Sequence, residues 1–222
     1  IVQISAIIFD LDGTLLDSIG DIAACGNDTL GVMGFPPLTV SLYKAYVGDG
    51  LRNLARKVLP EGHRNEESVA KFLELYRVQY GQRWNETTAP YPGVLPLLAQ
   101  LSQLGIRMAV LSNKRDEFTK VCVSELLSGC SFSEVRGESE VTPTKPDPRG
   151  ALAIATNLGV EPARCLFVGD SEIDAETALR AGMPFVAVEW GYRSRAQLEQ
   201  AGAQLFVREP GELLGVLGKP RK

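Results

Sequence analysis

Ala6-Ile7-Ile8-Phe9-Asp10-Leu11-Asp12-Gly13-Thr14 runs from unbroken apolar residues straight into two carboxylates one residue apart. A strand that is apolar at every position is covered on both faces, which is the habit of parallel sheets. Along such a strand residues i and i+2 point to the same side, so Asp10 and Asp12 can face one reacting group. Two neighbouring carboxylates repel unless a cation or a proton lies between them. An Asp-rich turn is the other reading of an Asp-x-Asp pair, and the segments further along the chain bear on that choice.

Outward from this strand, the sequence predicts further strands over Arg107–Ser112, Arg164–Asp170 and Pro184–Val188, with a shorter one over Gln204–Val207. Helical periodicity fills the gaps, over Val94–Leu104, Arg115–Leu127, Pro148–Leu158 and Ile173–Ala181. Gly105, Gly159 and Gly182 follow three of these helices, where a left-handed cap residue belongs. Strand and helix in repeated alternation predict an α/β fold, a Rossmann-like parallel sheet with helices on both faces. Residues 17–87 break the alternation with helical patterns alone, over Ile19–Met33, Leu38–Tyr46, Leu51–Leu59 and Glu66–Trp84. The expected organisation is a catalytic core of residues 1–16 and 88–222, interrupted after its first strand by a small all-helical cap of residues 17–87. Thr87-Thr88-Ala89-Pro90-Tyr91-Pro92-Gly93 reads as the linker that ends the insertion. A helical module beside the carboxylate pair is expected to act as a lid.

Composition narrows the chemistry. The 222 residues are 45% hydrophobic, with a formal net charge of −4 and no basic stripe, so nucleic acid is not an expected partner. The longest apolar stretches fall well short of the about 20 residues a membrane helix requires, so no membrane is expected either. The first residue is Ile1, and no charged lead or cleavage pattern suggests secretion. Four scattered cysteines, Cys25, Cys122, Cys130 and Cys165, read as reduced thiols of a cytoplasmic protein. The single histidine, His63, lies in a polar stretch predicted as loop. Zinc hydrolase sites and Ser-His triads both need core histidines, so acid–base work falls to carboxylates.

Ligands of open α/β sheets bind beyond the carboxyl ends of the strands, and polar residues collect there in this chain. The first strand ends in Asp10 and Asp12, the second in Leu111-Ser112-Asn113-Lys114, and a later one in Val168-Gly169-Asp170-Ser171. A helix starting near Ser171 brings Asp174 back toward Asp170. Thr142-Pro143-Thr144-Lys145-Pro146-Asp147-Pro148 forms a loop whose prolines are expected to hold Lys145 in place. Each piece alone has a bland reading: Ser112 as a turn hydroxyl, Lys145 as a solvated cation. Together the carboxylates offer oxygen ligands to a hard divalent cation, Mg²⁺, and Lys145 and Ser112 offer charge and a hydrogen bond to phosphoryl oxygens.

These segments resemble, in order, the four motifs of the haloacid dehalogenase superfamily. Asp10-Leu11-Asp12-Gly13-Thr14 is similar to the first, Leu111-Ser112-Asn113 to the second, Lys145-Pro146-Asp147-Pro148 to the third, and Gly169-Asp170-Ser171 with Asp174 to the fourth. Within the superfamily the chain looks most like phosphoglycolate phosphatases, through Asp17-Ser18, Val47-Gly48-Asp49-Gly50 and the Lys-Pro-Asp-Pro string. Asp49 departs from the Asn that many relatives carry there. The resemblance implies Asp10 as nucleophile forming an aspartyl-phosphate, and Asp12 as general acid and then base. It implies Mg²⁺ held by Asp10, Asp170 and the backbone carbonyl of Asp12, with Asp174 in support. Ser112, Asn113 and Lys145 become the phosphate-binding residues. Asp12 must carry a proton in the first step, which neighbouring carboxylates could favour. In the cap, Gly48, Asp49, Gly50 and Arg52 are the expected specificity residues, with Arg52 or a neighbour meeting a carboxylate on a small phosphorylated metabolite. The alternatives are a phosphomutase of the β-phosphoglucomutase type, a sugar-phosphate or pyrophosphate hydrolase, an inactive binding protein, and a receiver-like signalling domain.

Overall fold

The computed structural model describes residues 3–217, so the expected core residues 1–2 and 218–222 lie outside the described residues. Six strands form one parallel sheet: β1 (Ala6–Phe9), β4 (Arg107–Arg115), β5 (Phe132–Glu138), β6 (Cys165–Gly169), β7 (Phe185–Val188) and β8 (Phe206–Val207). Their order is β5-β4-β1-β6-β7-β8. A second, two-stranded antiparallel ribbon pairs β2 (Leu16–Asp17) with β3 (Ala89–Pro90). The core helices are α5 (Val94–Gln103), α6 (Asp116–Leu126), α7 (Arg149–Leu158), α8 (Glu172–Ala181), α9 (Arg195–Gln200) and α10 (Leu213–Val216).

Burial explains why β1 is apolar throughout. Ile7 and Phe9 point into one apolar cluster and Ala6 and Ile8 into the other, on opposite faces of the sheet. The same alternation divides Leu166 and Val168 from Cys165 and Phe167 on β6. Each fully buried Ile or Phe of this set contributes about 1.5–3 kcal/mol of hydrophobic stabilisation. Gly105, Gly159 and Gly182 take positive φ values after α5, α7 and α8, as their positions predict. One strand of the sheet, β5, was not expected from sequence. Phe132-Ser133-Glu134-Val135-Arg136-Gly137-Glu138 is polar because it forms an edge of the sheet, where the strand has a partner on one side only and most of its residues are partly exposed.

Residues between β2 and β3 are helical: α1 (Ile19–Val32), α2 (Val40–Tyr46), α3 (Leu51–Val58) and α4 (Glu66–Arg83). They close around Leu30, Tyr43, Ala55, Val69 and Phe72, which belong to the same apolar cluster as one face of the sheet. Phe72, Tyr76 and Tyr80 lie four residues apart on α4 and stack at 5.8 and 5.4 Å. Phe118 of α6 continues this row, edge-on to Tyr80 at 5.2 Å. The ribbon ties the entry of the helical segment to its exit, with Leu16 paired to Pro90 and Asp17 to Ala89. His63 is exposed on a short 3-10 turn. Burial pushes the thiols of Cys25, Cys122 and Cys165 up to about 11, which leaves them unreactive. Among the described residues no helix is long and apolar enough to cross a membrane.

The linker carries a further anchor. Asp21, in the first turn of α1, accepts hydrogen bonds from the backbone N–H and hydroxyl of both Thr87 and Thr88 at 2.7–3.0 Å. Burial opposes ionisation of Asp21, but the Thr88 and Thr87 donors together outweigh it and hold the carboxyl below its usual range. A depressed folded-state pKa stabilises the fold above the unfolded value, near 4, and that contribution disappears as pH falls through the folded value. Asp21→Ala is therefore expected to cost about 2–4 kcal/mol at neutral pH, a melting temperature lower by roughly 4–16 °C. The deficit should shrink when the same melts are repeated toward pH 2.

Candidate active site

The sheet order places β1 between β4 and β6, so the carboxyl ends of these three strands deliver their residues to one point. Asp10 follows β1, Ser112 to Lys114 lie at the end of β4, and Asp170 follows β6. Lys145 arrives from the loop between β5 and α7. All of these side chains except Lys114 belong to residues at most 8% exposed, and the Lys114 side chain is 8% exposed.

Lys145 joins the carboxylates. Its Nζ lies 2.7 Å from Asp10 Oδ1 and 2.6 Å from Asp174 Oδ1. The second oxygen of Asp174 accepts from the N–H and Oγ of Ser171, while Ser171 Oγ accepts from the Asp174 N–H. This reciprocal pair caps α8, and it explains why Asp174 turns back toward Asp170. Asp170 is held by the Tyr192 N–H at 2.6 Å. Its carboxylate is enclosed so closely that a methyl group on Gly13 or Gly191 would overlap it, and Gly13 also needs its φ of 91°.

Asp10, Asp170 and Asp174 each offer a carboxylate oxygen within 4.8 Å of the others. Burial, with Asp174 and Asp170 adding to it against the pull of Lys145, raises the Asp10 carboxyl well above its usual range. Burial first and Asp174 second push Asp170 up to about 7. Three buried carboxylates facing one ammonium leave negative charge in excess, and an all-oxygen donor set suits a hard divalent cation. The residues present therefore fit such an ion.

Asp12 departs from its expected surroundings. Its carboxylate accepts from Ser18 Oγ at 2.6 Å and from Lys114 Nζ at 2.9 Å, so it faces a hydroxyl and an ammonium. The crowding by carboxylates expected there occurs at Asp10 and Asp170. Lys114 also donates to Tyr80 Oη at 2.7 Å. Burial, the largest effect, opposes its charge, but Asp12 and the other groups around it together outweigh burial and hold the Lys114 amine above its usual range. The sequence assigned no role to Lys114, Ser18 or Tyr80. Lys114 stood at a strand end beside Ser112 and Asn113, and Ser18 in the Asp17-Ser18 pair of the resemblance; Tyr80 carried no signal.

Two further expected site residues make contacts that the sequence did not signal. Asn113, expected to bind phosphate, lines the pocket, and its side-chain amide holds neighbouring backbone. Its Oδ1 accepts from the Lys145 N–H at 2.6 Å, and its Nδ2 donates to Lys145 O and Gly48 O at 3.0 and 2.8 Å. An amide has two N–H donors, and both are used. Asn113, more than the flanking prolines, thus places Lys145. Arg52, expected at the substrate, pairs with Glu66 at 2.7 Å and lines a cavity shared with Arg77 and Arg115. Arg56 also pairs with Glu66, and Lys57 pairs with Asp49 at 2.8 Å. The pocket over the carboxylates is lined by Asp10, Asp12, Ser112, Lys114, Gly48 and Gly50, with Arg77 and Arg115 as its guanidinium groups. Asp49 is not among the lining residues.

Residues 7–188 match the haloacid dehalogenase-like hydrolase family. The chain belongs to that family. Among curated relatives of this haloacid dehalogenase-like hydrolase, the phosphoglycolate phosphatase of Pseudomonas putida is 32% identical, over 94% of this chain and 78% of its own. That of Aquifex aeolicus is 36% identical, over 84% of this chain and 85% of its own. Among solved structures, a predicted phosphoglycolate phosphatase from Haemophilus somnus superposes with a TM-score of 0.89 at 26% identity, covering 96% of this chain and 98% of that one. The α/β fold and the family resemblance read from the motifs agree with these likenesses.

Proposed function

We propose that this hydrolase cleaves a small phosphate monoester, phosphoglycolate first among the candidates, through an aspartyl-phosphate on Asp10. The observation that carries this reading is the convergence of Asp10, Lys145 and Asp170 at one sheet edge, with Asp12 on the same pocket but on a separate set of partners. Asp10 Oδ attacks phosphorus in line, the P–O bond to the leaving alkoxide breaks, and the alkoxide takes a proton from Asp12. Asp12, now a base, takes a proton from water as that water attacks the phosphoaspartate, which frees inorganic phosphate and restores Asp10. Ser18 and Lys114 hold Asp12 in orientation through both steps. Lys145 and Ser112 meet the phosphoryl oxygens. Asp10, Asp170 and the Asp12 carbonyl would hold Mg²⁺, with Asp174 behind them, and the bound ion supplies charge that offsets the transition-state phosphoryl group.

Arg77 of α4 and Arg115 at the end of β4 line the pocket and pair with Glu117 at 3.0 and 3.7 Å, and a carboxylate on the substrate would compete with Glu117 for them. Phosphoglycolate, whose relatives' names suggest it, has such a carboxylate. The test is a phosphate-release screen over phosphoglycolate, sugar phosphates, nucleotides and pyrophosphate, with EDTA treatment and Mg²⁺ add-back. Phosphoglycolate should lead, and EDTA should abolish release reversibly. Arg77→Ala should raise KM for phosphoglycolate about tenfold, as expected for one charge-assisted contact, while Arg52→Ala changes it less than twofold. Turnover of sugar phosphates alone would defeat the phosphoglycolate assignment, and release unaffected by EDTA would defeat the metal.

A further inference from the structure

The segment after β7, Glu189-Trp190-Gly191-Tyr192-Arg193, touches the carboxylate cluster and the cap within five residues. Trp190 Nε1 donates to Thr14 O at 3.0 Å, directly after the first carboxylate pair. The Tyr192 N–H holds Asp170, and Tyr192 Oη lies 3.1 Å from Ser18 Oγ, the hydroxyl that holds Asp12. Arg193 then reaches the other way. It is 6% exposed, and its guanidinium donates to Glu172 at 2.8 Å and to two backbone carbonyls of the cap, Lys44 O and Val47 O.

Those carbonyls belong to the last turn and C-cap of α2, where a helix has no partners of its own for its final C=O groups. A buried cation there satisfies them and complements the negative end of the helix. From the opposite side Asn113 donates to Gly48 O, so residues 44–48 are gripped by one side chain from β4 and one from the loop after β7. Val47, Gly48 and Gly50 are part of the cap wall of the pocket. The Arg193 contacts are polar and point to backbone, so water can replace them if the cap lifts, unlike the apolar packing of Tyr76 and Tyr80.

We infer that Arg193 is a positioning residue that holds the cap segment 44–50 down over the carboxylates and thereby sets how much of the protein is competent to bind substrate. The inference deepens the phosphatase reading and rests on it for its kinetic consequence. A protein whose competent state is partly populated binds more weakly in proportion, and saturating substrate restores that state. Arg193→Met keeps the length and apolar volume of the side chain but removes the fork. It should raise KM for the best monoester of the screen at least tenfold while kcat changes less than threefold. Arg193→Lys, which keeps one donor group, should fall between Met and the unaltered protein. Hydrogen exchange of the amides in residues 44–50 should accelerate at least tenfold in Arg193→Met, with the amides of α4 unchanged. A folded Arg193→Met protein with unaltered KM, or with slower turnover at unaltered KM, overturns the positioning role. Unchanged exchange in 44–50 overturns the clamp itself. If the unaltered protein releases phosphate from no monoester, the phosphatase reading fails while the exchange measurement still decides the clamp.

Discussion

Asp10→Asn should lower phosphate release at least about 1,000-fold, equivalent to roughly 4 kcal/mol of transition-state stabilisation, with the fold intact. Asn has the shape of Asp and can still accept from Lys145 Nζ, 2.7 Å away in the parent protein. It lacks the anionic oxygen that must attack phosphorus. Its neighbours have no spare nucleophile to replace it: Asp174 has both oxygens bonded to Lys145 and Ser171, and Asp12 lies among Lys114 and Ser18. Removal of one of three crowded carboxylates should leave the melting temperature nearly unchanged. The measurement is release of inorganic phosphate from the best substrate, alongside thermal melts. Near-full activity in a folded Asp10→Asn protein would end the covalent mechanism.

Lys145→Met is expected to damage both stability and activity. Lys145 is 4% exposed and is the ammonium bonded to Asp10 and Asp174. Burial opposes its charge, yet Asp10 and Asp174 outweigh burial and raise the Lys145 amine above its usual range. Breaking a buried ion pair from one side leaves uncompensated charge, at about 3–5 kcal/mol. For a chain of this size that is a melting temperature lower by roughly 6–20 °C in the absence of divalent cation. Mg²⁺ should recover more of the melting temperature in the variant than in the unaltered protein, because it supplies charge where the ammonium is missing. Turnover should fall by about 100- to 1,000-fold even with Mg²⁺ present, since a donor to the transition-state oxygens is gone. A metal-free variant as stable as its parent would show that the ammonium does not offset the carboxylates.

Reading the chain from its residues succeeded where the signal is local. The strands β1, β4, β6 and β7 carry apolar runs buried on two faces, and α5, α7 and α8 are each followed by a glycine of positive φ. The edge strand β5 was invisible because Glu134 and Arg136, though largely covered, are charged and pair with each other, which breaks the apolar run. The gathering of Asp10, Ser112, Lys145, Asp170 and Asp174 could be anticipated because Asp10 and Asp170 follow strands, Ser112 lies near the end of β4, Lys145 lies in a polar loop and Asp174 lies in the first turn of α8. Their individual partners could not be. Asn113, read as a phosphate ligand, also holds Lys145 and Gly48 through its amide. Arg52, read as a substrate contact because it lies near the Gly48-Asp49-Gly50 turn, also pairs with Glu66.

The amino-acid sequence by itself determined the α/β class, the helical insertion after the first strand, and the set of carboxylates and cations that the strands carry to their ends. Each of these depends on periodicity and chain order, which act over a few residues. Tertiary structure alone decided which charge faces which. Lys145 is far along the chain from Asp10 and Lys114 is far from Asp12, yet the order β4-β1-β6 brings each pair within 3 Å. The same holds for Arg193 on the carbonyls of α2. Electrostatic and hydrogen-bond energies depend on distance in space and on burial, and neither is written in the spacing of residues along a strand.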